Sequence, residues 1–588
     1  MTPSPSSLDD LARRLAAAQA HWRETWYEQS HGAGSPVGVL TQALNRALAT
    51  DPHKLNELRS RYFAAQFELW RSVVLERPPE GSESSLPDDP RFRAKEWREL
   101  PWFDYIRRSY ELSARWVQDL IDAIPLDAPE RRRIEFFGRQ FVDAAAPSNF
   151  AFTNPEVIRL ALETGGESLS KGLQNLASDI DKGRLTMTDE SGFALGRNLA
   201  LTPGAVVFQN DLIQLLQYAP ATATVYQRPL LIVPPFINKY YILDLQPQNS
   251  FVRHCVARGF TVYMVSWRNV DASMARLTWD DYIVDGVHAA MDAVRTIQPR
   301  RAVNALGFCV GGTLLATALA VMPSAKRRAV SSLTLLASML DFSDTGDISA
   351  YVDETYVKHC EQTLGEGGIF PGRSLAQAFA SLRSNDLVWR YVVCSYLKGK
   401  TPPAFDLLYW NSDSADLPGP LYAYYLRNMY LENALRQSGQ LTLCSRPVAL
   451  ERLSMPAYVL AAKEDHIVPW RSAYASAQLL HGATTFVQAA SGHIAGVISP
   501  PGQKRRSYRT GPNAPTAEAW EAASSEHPGS WWEHWYEWLE SKSGPLVAAP
   551  KRLGTAKLPP LEPAPGRYVS QHDSRGSVAP GGTQSAAR

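Results

Sequence analysis

Up to about residue 195, apolar residues recur at positions three and four apart, the spacing that gathers them on one face of a helix. The pattern predicts a mainly helical N-terminal domain over residues 1–194. A stretch rich in Pro, Ser and acidic residues at 78–90 is predicted to be a loop within it. The predicted helices cover residues 8–27, 55–76, 102–124, 129–141 and 155–180.

Beyond residue 195 the pattern changes, because short β-branched and apolar runs begin to alternate with helical stretches. This alternation is typical of a mostly parallel sheet flanked by helices. The predicted strands cover residues 205–208, 229–233, 261–266, 302–306, 331–336, 457–462 and 484–488. The predicted helices among them cover residues 250–258, 278–297, 310–321 and 470–480.

One connection between predicted strands is unusually long. About 120 residues separate the strand that ends at Leu336 from the strand that begins at Ala457, whereas roughly 2 to 6 residues are usual. We therefore predict an inserted cap at about 340–452, within a catalytic domain that spans residues 195–545.

The C-terminal part combines an aromatic helix with a segment of low complexity. Trp531, Trp532, Trp535 and Trp538 recur at helical spacing, and docking of this face onto the core is favoured over a surface that meets polymer or a partner. Residues 546–588 are rich in Pro, Gly, Ser and Ala and have little to bury, so a disordered tail is predicted.

Composition places the chain among ordinary globular proteins. Its 588 residues, 45% hydrophobic and 20% charged, are enough for two or more units with a large core. The net charge of +1 gives no reason to expect a nucleic-acid partner. Residues 302–322 carry no charge, but their three glycines, Asn304 and two threonines favour a buried strand and helix over a transmembrane segment.

The cysteines and the first residues bear on the compartment. Five cysteines, an odd number, are scattered without pairing or metal-ligand spacing, which favours a reducing compartment and predicts no metal site. Residues 1–22 lack the apolar core of a signal peptide. We therefore expect a cytoplasmic protein.

One short motif carries chemistry. In the nucleophile box, Gly307-Phe308-Cys309-Val310-Gly311-Gly312, a cysteine occupies the place of the serine in the Gly-x-Ser-x-Gly motif of esterases and lipases. Small neighbours suit a sharp strand-to-helix turn that lifts the nucleophile into a cleft. The predicted strand before the box and the predicted helix after it supply the required context. The alternative is a buried cysteine without chemistry.

A thiol nucleophile needs a base that takes its proton, and the chain offers a histidine and an acid in suitable places. His493 lies just beyond the last predicted strand, and Asp465 just beyond the strand before it. The chain order Cys309, Asp465, His493 is the order nucleophile, acid, histidine of the α/β-hydrolase fold. These three residues are the predicted catalytic triad.

Other residues compete for the same roles. Asp341, after the strand that ends near Leu336, is the rival acid, and His466 and His481 are weaker candidates for the base. Asp465 could instead be a loop or helix-capping aspartate. The sequence leaves these alternatives open.

The same turn predicts an oxyanion hole built from backbone N–H groups. The N–H of Val310 is one expected donor, and the loop after the strand that ends at Val233 supplies the other. Pro234 and Pro235 have no N–H, so Phe236 is the first residue of this loop that can donate.

Several segments together resemble the polyhydroxyalkanoate synthases, and most closely the class I type. The resemblance spans roughly residues 135–540. One departure is Phe236, where some relatives are expected to carry a cysteine. The segments that carry the resemblance are the nucleophile box and residues 147–169, 233–241, 265–269, 385–389, 405–411, 464–470 and 491–498.

The resemblance implies an α/β-hydrolase fold with an inserted cap, preceded by the helical N-terminal domain. It implies an acyltransferase that polymerises (R)-3-hydroxyacyl-CoA, short-chain units such as 3-hydroxybutyryl-CoA included, through an acyl-cysteine on Cys309. CoA is carried by the substrate and released, so no separate cofactor is expected. The implied partners are the growing polyester, the cytoplasmic granule surface with its associated proteins, and a second copy in a homodimer.

Two other functions stay open at this stage. One is a thioesterase or polyester depolymerase on the same fold, in which water is the acceptor. The other is a non-catalytic protein that coats polymer granules. The sequence does not identify the residues that bind CoA. It also leaves open whether Asp465 orients His493 or assists deprotonation of the substrate hydroxyl.

Overall fold

The structure, a computed structural model, describes residues 38, 41, 45–46, 51–75, 89–502 and 506–571. The predicted helix at 8–27 and residues 78–88 of the predicted loop lie outside these ranges. The described residues divide into two structural units. Residues 378–403 join the N-terminal residues up to Asp189 in the first unit, and the rest of the chain from Glu190 forms the second.

The first unit is helical, as the apolar periodicity predicts. The single helix predicted over 155–180 is wrong, because two helices cover this stretch. Gly165 and Gly166 separate them with φ values of 58° and 86°, which glycine adopts without steric penalty. The helices are Pro52–Val74, Glu96–Glu99, Pro101–Ala123, Ala128–Ala144, Pro155–Glu163 and Glu167–Lys182.

The single cap predicted at about 340–452 is wrong in extent, because residues 378–403 belong to the first unit. Within that unit, Ser384 Oγ and Asn385 Nδ2 donate to the Asp143 carboxylate at 3.0 and 2.8 Å. The Asp143 carboxylate, on an N-terminal helix, thus accepts hydrogen bonds from polar side chains of residues 378–403. The rest of the insertion, residues 340–377 and 404–452, lies in the second unit and is here called the cap.

An eleven-stranded mixed sheet forms the centre of the second unit. Its strands are β1 Gly204–Gln209, β2 Ile213–Tyr218, β3 Leu230–Val233, β4 Val262–Trp267, β5 Val303–Phe308, β6 Val330–Leu336, β7 Ala457–Ala462, β8 Thr484–Ala489, β9 Ser507–Thr510, β10 Ser525–Pro528 and β11 Glu562–Pro563. The order across the sheet is β10-β9-β8-β7-β6-β5-β3-β4-β2-β1-β11. Strands β4, β3, β5, β6, β7 and β8 run parallel, and the outer strands are antiparallel.

All seven predicted strands are confirmed, and four strands of the sheet were not predicted. Strand β2 has the sequence IQLLQY, whose leucines and glutamines lack the β-branched signature of a strand. Strands β9, β10 and β11 are short and polar and lie toward the sheet edges. Strands β9, β10 and β11 therefore form because they pair with neighbouring strands, and not because they bury an apolar run.

Helices pack on the sheet and build the cap. The helix predicted over 278–297 contains a π-helical stretch, Tyr282–His288, in which a Cβ on Gly286 would lie 2.7 Å from the Trp267 ring. The main helices beside the sheet are Phe251–Ala257, Ala289–Ile297, Val310–Val321, Trp470–Gln478 and Trp531–Glu540. The cap contains Glu354–Leu364, Asp406–Asn411, Gly419–Tyr425 and the π-helical turn Leu426–Leu431.

The uncharged stretch 302–322 forms β5 and the helix Val310–Val321, here called the nucleophile helix. All twelve residues of this helix are buried. The predicted buried strand and helix are therefore confirmed. Within the described ranges, no helix combines the length and the hydropathy needed to cross a membrane.

The tryptophan-rich helix docks on the core, as predicted. Trp531, Trp532 and Trp535 are buried, and their indole N–H groups donate to Gly496 O, Val497 O and the Thr334 hydroxyl, respectively, at 2.8 to 3.0 Å. Each of these three buried indoles thus has the hydrogen-bond partner that burial requires.

The predicted disorder from residue 546 onward is wrong for residues 546–571. Strand β11 pairs with β1, and the short strand Leu546–Ala548 pairs with Thr224–Tyr226. Val569 is fully buried, and the Tyr568 hydroxyl donates to a backbone carbonyl at 2.7 Å. Edge pairing and a few buried side chains order this segment despite its composition. Residues 572–588 lie outside the described residues.

Candidate active site

Cys309 lies between the carboxyl end of β5 and the nucleophile helix in a strained conformation, with φ 52° and ψ −130°. A positive φ is uncommon outside glycine, and such strain costs about 1–3 kcal/mol. The Cys309 N–H donates to Leu336 O, at the end of β6, at 2.9 Å. The cysteine side chain is partly exposed, unlike those of Cys255 and Cys360. These features favour a presented nucleophile over a buried structural cysteine.

The glycines of the nucleophile box are required by close packing. A Cβ on Gly311 would lie 2.4 Å from Pro234 O, and one on Gly312 would lie 2.1 Å from Ser338 Oγ. A Cβ on Gly307 would lie 2.4 Å from the Gly312 Cα. The turn therefore excludes any side chain at these three positions.

Substitution of Gly311 by alanine is expected to destabilise the second unit by about 1–3 kcal/mol, the usual range for overpacking. The new methyl group would collide with backbone carbonyls, which cannot rotate away as a side chain can. Urea unfolding followed by fluorescence should show a lower midpoint. Gly492→Ala is the matched control, since its Cβ would meet only Glu464 O at an ordinary 3.5 Å. Equal midpoints for the two variants would contradict the steric account.

The structure brings Asp465 and His493 together. Because β7 and β8 are parallel, with Ala462 opposite Ala489, the loops after them lie side by side. Asp465 Oδ2 lies 2.6 Å from His493 Nδ1, and both residues are buried. With Nδ1 bound to the carboxylate, the other ring nitrogen is left for a different partner.

The second oxygen of Asp465 holds the acid in place. Asp465 Oδ1 accepts hydrogen bonds from the backbone N–H groups of Ile467 and Val468, both at 2.8 Å. Oδ1 of Asp465 thus caps the loop, as the alternative interpretation expects, and Oδ2 binds His493. The two roles coexist in one side chain.

The charges around His493 favour its protonated form. Burial by itself lowers the pKa of His493, but the charges of Asp465 and Cys309, with hydrogen bonds to both, raise it to about 10. A stabilised imidazolium makes the neutral ring a ready acceptor for the proton of the Cys309 thiol. This is the electrostatic setting that a thiol nucleophile requires.

The rival acid Asp341 serves a different part of the molecule. Its carboxylate accepts hydrogen bonds from the Ser343 backbone and hydroxyl and from Asn433 Nδ2, and it lies 3.4 Å from Arg436. Asn433 and Arg436 belong to the cap. Asp341, at the start of the cap, therefore ties the two cap segments together, and Asp465 is the carboxylate bound to His493.

The weaker histidine candidates do not replace His493. The backbone N–H of His481 donates to Leu453 O at 3.1 Å, beyond the helix Trp470–Gln478. His466 lies in the same turn as Asp465. It is His493 whose imidazole contacts the Asp465 carboxylate.

Phe308 is a feature of the site that the sequence analysis did not single out. Its ring, fully buried, stacks on the His493 imidazole at 5.7 Å between centroids and 24° between planes. The residue directly before the nucleophile thus fixes the plane of the histidine ring. In the sequence, only the position of Phe308 between a predicted buried strand and Cys309 could have indicated that it belongs to the site.

The expected oxyanion donors have free N–H groups. In the part of the chain that the structure describes, the N–H groups of Val310 and Phe236 donate to no protein acceptor. Trp267 Nε1 donates to Pro234 O at 3.0 Å and so fixes the loop that carries Phe236. The close approach of Gly311 to Pro234 sets this loop against the start of the nucleophile helix. The two N–H groups remain the predicted oxyanion hole.

Comparison with known families agrees with this architecture. Residues 88–255 match the family described as Poly-beta-hydroxybutyrate polymerase (PhaC) N-terminus, and residues 228–500 match the alpha/beta hydrolase fold. The predicted α/β-hydrolase fold, preceded by a helical N-terminal region, is confirmed. Among solved structures, the comparison with a monoacylglycerol lipase of Paleococcus ferrophilus covers 56% of this chain and 99% of the lipase, at 11% identity and a TM-score of 0.33.

Curated relatives match nearly the whole chain. The poly(3-hydroxyalkanoate) polymerase subunit PhaC of Cupriavidus necator is 47% identical over 564 residues, which cover 94% of this chain and 95% of the relative. The poly(3-hydroxyalkanoate) polymerase of Methylorubrum extorquens is 42% identical over 549 residues, which cover 91% of this chain and 90% of the relative. Similarity at this identity and coverage places this chain within the poly(3-hydroxyalkanoate) polymerase family.

Proposed function

We propose that this chain polymerises (R)-3-hydroxyacyl-CoA, short-chain units such as 3-hydroxybutyryl-CoA included, into a polyester and releases CoA. The observation that carries this proposal is the strained Cys309 beside the His493–Asp465 pair, in a member of the polymerase family. Cys309 is the proposed nucleophile, His493 the base and Asp465 the residue that orients the base.

In the first step, His493 takes the proton of the Cys309 thiol, and the sulfur attacks the thioester carbonyl carbon of the substrate. The N–H groups of Val310 and Phe236 bind the oxyanion. The bond from the carbonyl carbon to the CoA sulfur then breaks, and the CoA thiolate takes the proton from His493. One thioester replaces another, so the acyl group stays activated on Cys309.

In the second step, the 3-hydroxyl of another unit gives its proton to His493, and its oxygen attacks the acyl-Cys309 carbonyl. The new ester bond forms, the bond to the Cys309 sulfur breaks, and the proton returns to the thiolate. Asp465 is assigned the orienting role because Oδ1 is held by two backbone N–H groups and Oδ2 by His493. The Asp465 side chain is also fully buried, so the substrate hydroxyl is proposed to meet His493 rather than the carboxylate.

The product determines where the protein is proposed to act. A polyester that grows by transfer to and from Cys309 stays with the protein while it becomes insoluble, so we place the enzyme at the surface of cytoplasmic polymer granules. We also propose that the protein forms a homodimer. Sedimentation of the purified protein, which gives the mass of the assembly, tests this proposal. CoA arrives with the substrate, so dialysed protein should need no added cofactor.

The assay that tests this function mixes purified protein with 3-hydroxybutyryl-CoA and measures both products. We expect free CoA thiol to accumulate together with insoluble polymer in near-equal monomer equivalents. Free 3-hydroxybutyrate as the main product would instead identify a thioesterase. Absence of CoA release would favour a non-catalytic granule protein.

A further inference from the structure

Two tyrosines of the cap pack against each other. Tyr425 ends the helix Gly419–Tyr425, and Tyr430 lies in the π-helical turn Leu426–Leu431. An α-helix would place residues five apart about 140° from each other, whereas the i→i+5 bonds of a π turn bring them toward one face. Their ring centroids are 5.2 Å apart, with an interplanar angle of 84°.

Aromatic side chains enclose this pair. Phe342 contacts both tyrosine rings edge-on, with centroids 6.0 Å from Tyr425 and 5.2 Å from Tyr430, and Trp279 stacks on Tyr425 at 5.4 Å. Phe342 and Trp279 are buried, but both tyrosines, like Cys309, keep a part of their surface accessible. The tyrosines are therefore the partly accessible members of an aromatic cluster.

Trp279 connects this pair to the predicted oxyanion loop, because the ring that stacks on Tyr425 also packs edge-on against Phe236, at 6.0 Å between centroids. Burial raises the pKa of Tyr430, and the charges of Cys309 and then Asp465 raise it further. Burial likewise raises the pKa of Tyr425, as do the charges of Tyr430 and then Cys309. Both phenols thus stay protonated, and the charge of Cys309 contributes to the raised pKa of each.

A hydroxyacyl unit on Cys309, bound at the oxyanion loop, would bring two polar groups to this aromatic cluster. The oxyanion donors take the carbonyl oxygen, which leaves the 3-hydroxyl among aromatic rings. An unpaired hydroxyl in apolar surroundings costs free energy, and a tyrosine O–H can both donate to it and accept from it. The tyrosine pair is the polar group placed to hold it.

We infer that Tyr425 and Tyr430 bind the 3-hydroxyl of the acyl unit on Cys309 and select 3-hydroxyacyl over unsubstituted acyl thioesters. The inference rests on the proposed function and names the part of the substrate that the cap recognises. A site built to bind a hydroxyl discriminates strongly against analogues that lack it, because its own polar groups are then left unpaired.

The test compares acylation of the full chain by 3-hydroxybutyryl-CoA and by butyryl-CoA, which lacks the hydroxyl. CoA release in a single turnover gives a rate constant for each substrate, and their ratio measures selectivity. Tyr430→Phe and Tyr425→Phe keep the rings and their packing, and each should lower the ratio about ten-fold, mainly by slowing the hydroxylated substrate.

Tyr356→Phe is the matched control, because the Tyr356 and Tyr422 hydroxyls, 3.1 Å apart, form another tyrosine pair in the cap. Its ratio should equal that of the wild-type protein. Ratios within two-fold of wild type in both site variants, or equal slowing of both substrates, would overturn the inference. Failure of the wild-type protein to release CoA from 3-hydroxybutyryl-CoA would instead overturn the proposed function, so the two failures are distinguishable.

Discussion

Substitution of Cys309 by alanine is expected to lower the rate of CoA release by at least about 10⁴-fold and to abolish polymer formation. Removal of a nucleophile that acts together with a base eliminates the covalent route, so only uncatalysed background remains. The strained backbone at φ 52° tolerates alanine no worse than cysteine, so the fold should be retained. Thiol release from 3-hydroxybutyryl-CoA and the thermal unfolding midpoint give the two readouts.

Cys394→Ala is the control for this experiment, since Cys394 is also a partly exposed cysteine but belongs to the first unit. Its activity should match that of the wild-type protein. Cys309→Ser keeps a nucleophile of similar size, but a serine ester lacks the activation of a thioester, so polymer should still fail to form. Full polymerisation by Cys309→Ala would show that the nucleophile lies elsewhere.

Substitution of Asp465 by asparagine is expected to lower the rate of CoA release roughly 10³- to 10⁴-fold at neutral pH, as in other triads. In the intact protein the pKa of His493 is raised to about 10, and Asp465 is the largest of the charges that raise it. Without this charge the pKa of His493 falls. The imidazole then accepts the thiol proton less readily at pH 7, and the loss is recovered as pH rises toward the ordinary pKa of a thiol, about 8.5.

Alkylation of Cys309 by iodoacetamide, followed by peptide mass spectrometry, reports this change without substrate. The pH profile of Asp465→Asn should shift to higher pH relative to the wild-type protein. Asp341→Asn is the matched control, because this buried carboxylate binds Ser343 and Asn433 rather than His493. An unchanged profile in Asp465→Asn, or an equal shift in both variants, would refute the role assigned to Asp465.

Much of the fold could be predicted because local patterns determine it. Strand β5, the Gly-x-Cys-x-Gly turn and the nucleophile helix follow from an uncharged apolar stretch and from glycines that leave room for close backbone packing. The edge strands escaped prediction because their stability comes from pairing with neighbours. The cap was misjudged because residues 378–403 pack on helices more than two hundred positions earlier, a contact that no local pattern encodes.

The candidate site was predictable to a similar degree. Chain order nominated Cys309, Asp465 and His493, but Asp341 also follows a strand and stayed open until the parallel β7–β8 pair placed Asp465 against His493. Tyr430 gave no signal, because the π turn that moves it toward Tyr425 depends on packing rather than on periodicity. Tertiary contacts therefore form the tyrosine pair that we propose to bind the substrate hydroxyl.

The most direct test of the account is mass spectrometry of the protein after brief exposure to 3-hydroxybutyryl-CoA. We expect a hydroxybutyryl mass on the peptide that contains Cys309, which additional substrate removes or lengthens by whole monomer units. An acyl mass on any other residue, or CoA release with only free acid and no acylated cysteine, would contradict it.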